Sequence, residues 1–258
     1  MLQPRIIPCL LVKNGGLVKT VQFGSPKYVG DPLNAVRIFN EKEVDELTVL
    51  DIDATAEGRE PNYALIRDLA VECRMPLCYG GGVTTAEQVQ KIISLGVEKV
   101  ALSAAAVADP TLLPRACERV GRQSVVVVLD VKRVGSRYEV FTHNGRRASG
   151  LEPAEFAARV EQLGAGEIVV NAIDRDGVMK GYDLELMTRV RDAVTLPLTA
   201  LGGAGSLKDI GELIRTFGIV GAAAGSLFVF KGVYRAVLIN YPNRADKNAL
   251  IAQARESA

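Results

Sequence analysis

The first residue in this chain with chemistry to offer is an aspartate that closes an apolar run. Val125-Val126-Val127-Val128-Leu129 reads as a buried strand, and it ends on Asp130. An apolar strand has little structural use for a terminal carboxylate. Asp130 is therefore a candidate for proton transfer or for binding a hydroxyl. The chain repeats itself about 120 residues apart, and the repeat supplies a counterpart. Arg5-Ile6-Ile7-Pro8-Cys9-Leu10 is the matching strand, but it ends on Leu11. If both strands open into one mouth, an acid stands on one side and a leucine on the other.

More candidates follow other apolar runs. Asp51 and Asp53 close one, and Asp174-Arg175-Asp176-Gly177 follows another. Gly80-Gly81-Gly82, Ser103-Ala104-Ala105, Gly202-Gly203-Ala204-Gly205 and Ala223-Ala224-Gly225-Ser226 are loops of small residues. Such loops let backbone N–H groups approach a phosphate, and a following helix N-terminus adds a favourable dipole. They form two pairs related by the repeat, so they imply a ligand with phosphates at two separated points. Gly82 with Ala104 marks one cradle; Gly203, Gly225 and Ser226 mark the other. Lys19, in the loop expected after the first strand, could pair with a phosphate. His143, the only histidine, falls in what reads as a hairpin excursion and is not expected to be catalytic.

These residues need a frame. Strands are expected near 5–11, 47–52, 75–79, 99–103, 123–131, 167–173, 196–201 and 219–224. Continuous apolar runs of this kind suit parallel strands covered on both faces. Amphipathic stretches lie between them. Thr84 with Glu87 is expected to box one helix start, before a stripe of Val89, Ile92 and Ile93, with Gly96 as the stop. Ser206 is expected to cap a later helix with the stripe Ile210, Leu213, Ile214 and Phe217. Eight such units in two matching halves predict an α/β fold, a (βα)8 TIM barrel with a twofold half-barrel repeat. The halves are about 1–122 and 123–258, and no linker divides them, so residues 1–258 read as a single domain.

Arg5, Glu46, Lys99 and Glu167 sit at strand starts, hence at the barrel floor. Two acids and two bases can close a ring there. A buried ion network is an expensive way to fill a core, so a ring that opens would make a gate for a small polar molecule.

Composition narrows the classes. The net charge is +1 without a block of like charges, which argues against nucleic acid and acidic membrane surfaces. Apolar content of 48% supports a large core. No apolar run approaches the ~20 residues of a membrane span. The start shows no signal-peptide layout. Cys9, Cys73, Cys78 and Cys117 lack metal-ligand spacing and read as reduced cysteines of a cytoplasmic protein. No metal and no cofactor are expected.

The chain resembles the cyclase subunit family of imidazole glycerol phosphate synthase over essentially its whole length. The resemblance rests on Arg-Ile-Ile-Pro-Cys-Leu at 5–10, Val-Lys at 18–19, Gly-Gly-Gly at 80–82, Ser-Ala-Ala-Ala-Val at 103–107, Asp130, Asp-Arg-Asp-Gly at 174–177, Gly-Tyr-Asp at 181–183 and Gly-Gly-Ala-Gly at 202–205. It implies a glutaminase partner at the N-terminal face of the barrel. It also implies an ammonia gate of Arg5, Glu46, Lys99 and Glu167, and a substrate with two phosphates at the top. Lys19, Asp51, Gly82, Ser103, Ala104, Asp176, Gly177, Gly203, Gly225 and Ser226 are the implied ligand-binding residues. The chain departs from the family where it matters for chemistry. Leu11 replaces the family's second acid, Ser103 and Ala104 stand for asparagine and threonine, and Leu201 stands for serine. This pattern resembles a divergent branch found with surface-polysaccharide genes, as does the run 222–232. The resemblance to that branch implies a subunit supplying ammonia for sugar amidation. A working cyclase of histidine biosynthesis and a phosphosugar isomerase of the same barrel type are the alternatives.

Overall fold

In the computed structural model, which describes residues 3–232 and 234–256, eight parallel strands close on themselves. They are β1 (Arg5–Lys13), β2 (Leu47–Asp51), β3 (Leu77–Gly80), β4 (Lys99–Leu102), β5 (Val125–Val134), β6 (Glu167–Ala172), β7 (Leu198–Leu201) and β8 (Gly221–Ala224). Neighbours in sequence are neighbours in the sheet. β1 pairs β8 and β2, and β5 pairs β6 to complete the circle. The fold is the expected (βα)8 barrel.

Among the described residues, eight main helices wrap the outside: α1 (Pro32–Glu41), α2 (Tyr63–Glu72), α3 (Ala86–Ser94), α4 (Leu112–Val120), α5 (Pro153–Gln162), α6 (Leu184–Ala193), α7 (Leu207–Phe217) and α8 (Arg244–Glu256). Their starts are fixed by side-chain caps. Asp31, Asn62, Asp183 and Ser206 each accept from a backbone N–H one turn on, which satisfies an otherwise orphaned helix donor. Ser206 forms a capping box with Asp209. The box of α3 lies one residue beyond its expected place and joins Thr85 to Gln88, not Thr84 to Glu87. The phase of the apolar face decides this, because Ala86, Val89 and Ile92 are the side chains α3 buries.

The expected strand bounds shift for identifiable reasons. β3 and β7 start two residues late because Pro76 and Pro197 have no N–H for the ladder; their carbonyls instead receive Leu47 N and Ile168 N at 2.9 and 3.0 Å. β5 runs past the rim into an antiparallel hairpin with Arg137–Thr142, which bears out the excursion around His143. β1 does the same. The expected loop after it is an antiparallel ribbon of Gly16–Val21 and Gly24–Gly30. Lys19 therefore sits on a strand, not in a loop.

Side chains alternate between the helix-facing core and the bore. Two apolar clusters fill the bore. One is Ile7, Cys9, Leu201 and Ala223; the other is Cys78, Ala101, Val126 and Val128; Leu50 and Val169 border both. Among the described residues no helix is long and apolar enough to cross a membrane, and no group of three His, Cys, Asp or Glu could hold a metal.

Candidate functional site

The strand ends surround a cavity of about 280 Å3 lined by Leu11, Leu50, Ser103, Asp130, Asn171 and Leu201 together with the glycine-rich loops. Asp130 is half-buried there. Its Oδ2 accepts from Ser103 Oγ at 3.1 Å and its Oδ1 from Asn171 Nδ2 at 2.8 Å. Burial pushes its carboxyl up to about 6; the two hydrogen bonds hold it down in part, and the nearby Asp176 adds a little to the rise. A carboxyl poised near neutrality suits proton transfer. Leu11 belongs to the apolar cluster of Ile7, Cys9 and Leu201 and pairs in register with Leu50. The acid of β5 thus faces a hydrocarbon wall built by β1, β2 and β7.

Lys19 reaches into the same cavity from the first ribbon. It is buried, and its Nζ donates to Cys9 O at 2.6 Å. Desolvation lowers its pKa, with Asp176 among the groups that resist the change. Gly225 makes room for it, since a Cβ there would lie 2.4 Å from Nζ. Asp176 accepts from Thr20 Oγ1 at 2.6 Å and from Phe23 N at 3.3 Å, so it fastens the ribbon to the β6 loop. Burial raises its pKa despite those bonds and Lys19. Gly177 lies beside Thr20, where a Cβ would meet the carbonyl oxygen at 2.1 Å.

The two cradles obey one rule. Gly81 and Gly202 have φ of 118° and 90°, and a Cβ on them would meet Asp51 O at 2.3 Å and Ala172 O at 2.6 Å. Gly82 and Gly203 follow with φ of 72° and 115°. Only glycine occupies such positions without strain. Gly82 N donates to Thr55 Oγ1 at 3.2 Å, so that donor is engaged within the protein. Ala104 opens the short helix Ala104–Ala108 and Ser226 opens Ser226–Val229; both residues line the cavity. Asp51 lines it too, but its Oδ1 accepts from Asp53 N and Ala54 N at 3.2 and 3.1 Å and shapes its own loop. Asp53 pairs with Lys13 at 3.1 Å. Asp174, its repeat counterpart, accepts from Arg133 N at 2.7 Å. These two acids tie the ribbons down outside the cavity's centre.

At the opposite end, Arg5, Glu46, Lys99 and Glu167 form a closed ring. Arg5 pairs with Glu46 and, at 2.7 Å, with Glu167. Lys99 pairs with both carboxylates at 2.8 Å. Burial alone would raise the Glu167 carboxyl; Arg5 and Lys99 outweigh it and hold the group below its usual range. Lys99 is raised, burial being outweighed by Glu167 and Glu46. Its side chain is 18% exposed and that of Arg5 is 28%, against 6% and 7% for Glu46 and Glu167. The cations are therefore the more exposed members of the ring and the carboxylates the more buried. Thr199 Oγ1 adds a bond to Glu167 Oε1 at 2.6 Å.

Sequence reasoning missed Asn171 and Thr199. Both are single polar residues inside apolar strands, and that was the available signal. Asn171 stands next to Asp130 in register on one side and next to Leu201 on the other. His143 lies at the rim of the cavity with Asn144 and Arg146. Its ring contacts Thr142 Oγ1 at 3.0 Å and Arg147 at 3.3 Å, and its pKa is lowered by burial and by Arg147.

Comparison with known proteins adds kinship to this geometry. The model of the family described as "Histidine biosynthesis protein" matches residues 5–235. A protein of Leptospira interrogans named "Putative imidazole glycerol phosphate synthase subunit HisF" is 58% identical over 97% of this chain and 99% of its own length. A protein of Vibrio vulnificus with the corresponding name, subunit hisF3, is 57% identical over 96% of each chain. "Imidazole glycerol phosphate synthase subunit HisF" of Hyphomonas neptunium is 44% identical over 89% of this chain and 91% of its own. The chain belongs to the histidine biosynthesis protein family, in its HisF-like group.

Proposed function

We propose that this member of the HisF-like family is the synthase-type subunit of a glutamine amidotransferase complex, and that it conducts ammonia rather than consuming it. A glutaminase partner sits against the barrel floor and releases ammonia there. The ring of Arg5, Glu46, Lys99 and Glu167 opens to admit it. The bore of Cys9, Cys78, Val126, Val128, Val169 and Ala223 carries it upward, because an apolar wall offers no proton to trap it as ammonium. A ligand with two phosphates occupies the cradles at the mouth and reports its presence to the partner. The ammonia then serves the amidation of a sugar in surface-polysaccharide synthesis.

The observation that carries this reading is the closed ring under an apolar bore. Four charges paired in a closed ring, with Thr199 bonded to two of them, at the floor of the barrel, are costly as packing and useful as a gate. Titration with the cognate glutaminase tests it. A complex should form at micromolar concentrations, and glutamine hydrolysis should rise when this chain is added. If neither occurs with phosphate ligand present, the gate has no source and the reading fails.

The diversion of ammonia to a sugar rests on Leu11. General acid–base groups contribute ~10²–10⁴-fold each, and here one of the two expected acids is a hydrocarbon. Turnover of the histidine-pathway substrate with ammonium salt should be near background, and Leu11→Asp should raise it about 10-fold, short of the full range. The second reading is a working cyclase of histidine biosynthesis. It is favoured by Asp130, whose carboxyl near 6 is fit for proton transfer. Turnover of the unaltered chain comparable with that of ordinary cyclases would put this reading first.

A further inference from the structure

The half-barrel repeat gives the mouth two equivalent corners, and their side chains are opposite in character. Strands β1 and β2 correspond to β5 and β6. Leu11 pairs in register with Leu50, and Asp130 pairs in register with Asn171. All four line the cavity. Ser103 Oγ and Asn171 Nδ2 both donate to Asp130, which joins the ends of β4, β5 and β6 into one polar arc. A carboxylate offers about four lone-pair sites, so Asp130 keeps room for further donors. On the other side Leu201 shares with Leu11 and Leu50 the apolar cluster that continues down the bore through Ile7, Cys9 and Ala223. An apolar arc therefore runs over β7, β8, β1 and β2.

The cradles set how a ligand meets these arcs. One follows β3 and β4, and the other follows β7 and β8. In a closed barrel of consecutive neighbours, a molecule reaching from one cradle to the other has β5 and β6 along one edge and β1 and β2 along the opposite edge. The first edge meets Asp130; the second meets Leu11 and Leu50. A hydroxyl on the second edge would lose water and find no partner. The polar groups around that side are engaged within the protein. Lys19 Nζ donates to Cys9 O, Asp51 Oδ1 accepts from two backbone N–H groups of its own loop, and Asp53 pairs with Lys13.

We propose that Leu11, Leu50 and Leu201 are specificity residues, and that the mouth takes a bisphosphate with hydroxyl donors along one edge and bare hydrocarbon along the other. The ligand is thus a partly deoxygenated chain or sugar, not a fully hydroxylated one. The inference rests on the two-phosphate reading of the mouth and names the class of its ligand. It does not depend on the glutaminase or on ammonia. Leu11 and Leu201 carry the selection, because they turn into hydrocarbon two positions from which a polar side chain would meet a hydroxyl. An apolar wall of this kind rejects an added hydroxyl by up to about 10²-fold.

Calorimetric titration of the isolated full chain at pH 7.5 tests it. Inorganic phosphate comes first and reports the cradles alone. Three series of terminal bisphosphates follow, from four to ten carbons: alkanediols, the same chains with one internal hydroxyl, and full polyols. At the length that binds best, the singly hydroxylated chain should bind at least as tightly as the bare one, since its hydroxyl can turn to Asp130. The polyol should bind about 10–100-fold more weakly than the singly hydroxylated chain. Leu11→Asn and Leu201→Ser add polar partners without adding charge, and each should cut that penalty at least 3-fold. Leu11→Met keeps the wall apolar and should keep the penalty, which separates a lost apolar wall from disturbed folding. A polyol that binds as tightly as the singly hydroxylated chain, or a penalty that both polar variants leave intact, would overturn the proposal while the cradles stand. Phosphate binding with no gain from joining two phosphates would overturn it by removing the bridging ligand. No binding of phosphate at all would remove the cradles and the proposal together.

Discussion

At the floor of the barrel, Arg5 and Lys99 each touch both Glu46 and Glu167, so two positive and two negative groups leave no charge over. At the mouth, Asp130 and Asp176 are half-buried and desolvated, and Lys19, the buried cation near Asp176, bonds a carbonyl. The consequence appears in the acids themselves. Burial works on Glu167 and on Asp130 in the same direction; cations reverse it for Glu167, while neutral donors only moderate it for Asp130. A closed, compensated ring leaves no charge to attract a ligand. An uncompensated pocket makes a place for something to bind. Strand position alone separates the two, because alternate residues of the same eight strands build both ends.

Four substitutions, in three tests, break or sharpen that contrast. Lys99→Met should have the largest effect. It leaves two inward carboxylates on one arginine, and breaking such a network costs about 3 kcal/mol, roughly 6–12 °C in thermal midpoint for a chain of this size. The loss should shrink in acid. Glu167 is held below its usual range in the folded state, so its contribution is present above the ordinary carboxylate range and disappears as pH falls through the folded value. A change under about 1 kcal/mol, the usual worth of an exposed pair, would show that the four charges do not act as a unit.

The second test uses two glycines of one neighbourhood. A Cβ on Gly221 would come 1.9 Å from Thr199 Oγ1, which holds Glu167; one on Gly225 would come 2.4 Å from Lys19 Nζ. Gly221→Ala should cost about 2 kcal/mol of stability by overpacking the floor. Gly225→Ala meets chiefly the end of the Lys19 side chain, with Cys9 O at 3.2 Å. It should leave stability nearly unchanged and weaken phosphate binding about 10-fold, as calorimetric titration with inorganic phosphate would report. If the two effects came out exchanged, the division between a structural floor and a binding mouth would be wrong.

Asp130→Asn should have the smallest effect and the opposite sign. Removing an uncompensated buried charge should stabilise the protein by about 1 kcal/mol at pH 7.5. The Asp130 carboxyl titrates near 6 when folded, above its ordinary 3.8. The unaltered chain is therefore favoured by this group below about 3.8, and that advantage is lost as pH rises through about 6. The gap between variant and parent should open across that window in denaturant titrations. A variant less stable than its parent at pH 7.5 would mean that a cation already compensates Asp130.

Much of this contrast was legible along the chain. Arg5, Lys99 and Glu167 open their strands and Glu46 immediately precedes β2, and Asp130 and Leu11 were visible as unequal partners in a repeat. Lys19 reads as a loop residue in the sequence because the ribbon Gly16–Gly30 lacks the continuous apolar run of a core strand; its partner strand is exposed or half-buried throughout. The helix box moved from Thr84 to Thr85 because two adjacent threonines offer the same cap, and only burial of Ala86 chooses between them. Asn171 was overlooked because a lone amide in an apolar run has no partner in sequence; its partner is Asp130, on the neighbouring strand.

Hydrophobic runs, glycine punctuation and the repeat by themselves determined the barrel, its two ends and the residues delivered to each. Those features act through local geometry: strand alternation, positive φ and helix caps. Which charges cancel was decided only by closing the barrel. Closure brings β1, β4 and β6 together around Glu46 at the floor, and it sets β5 beside β6 at the mouth, with Lys19 turned to a carbonyl. Burial and neighbouring charge fix an acid's pKa, and both are properties of the surroundings that no stretch of sequence contains.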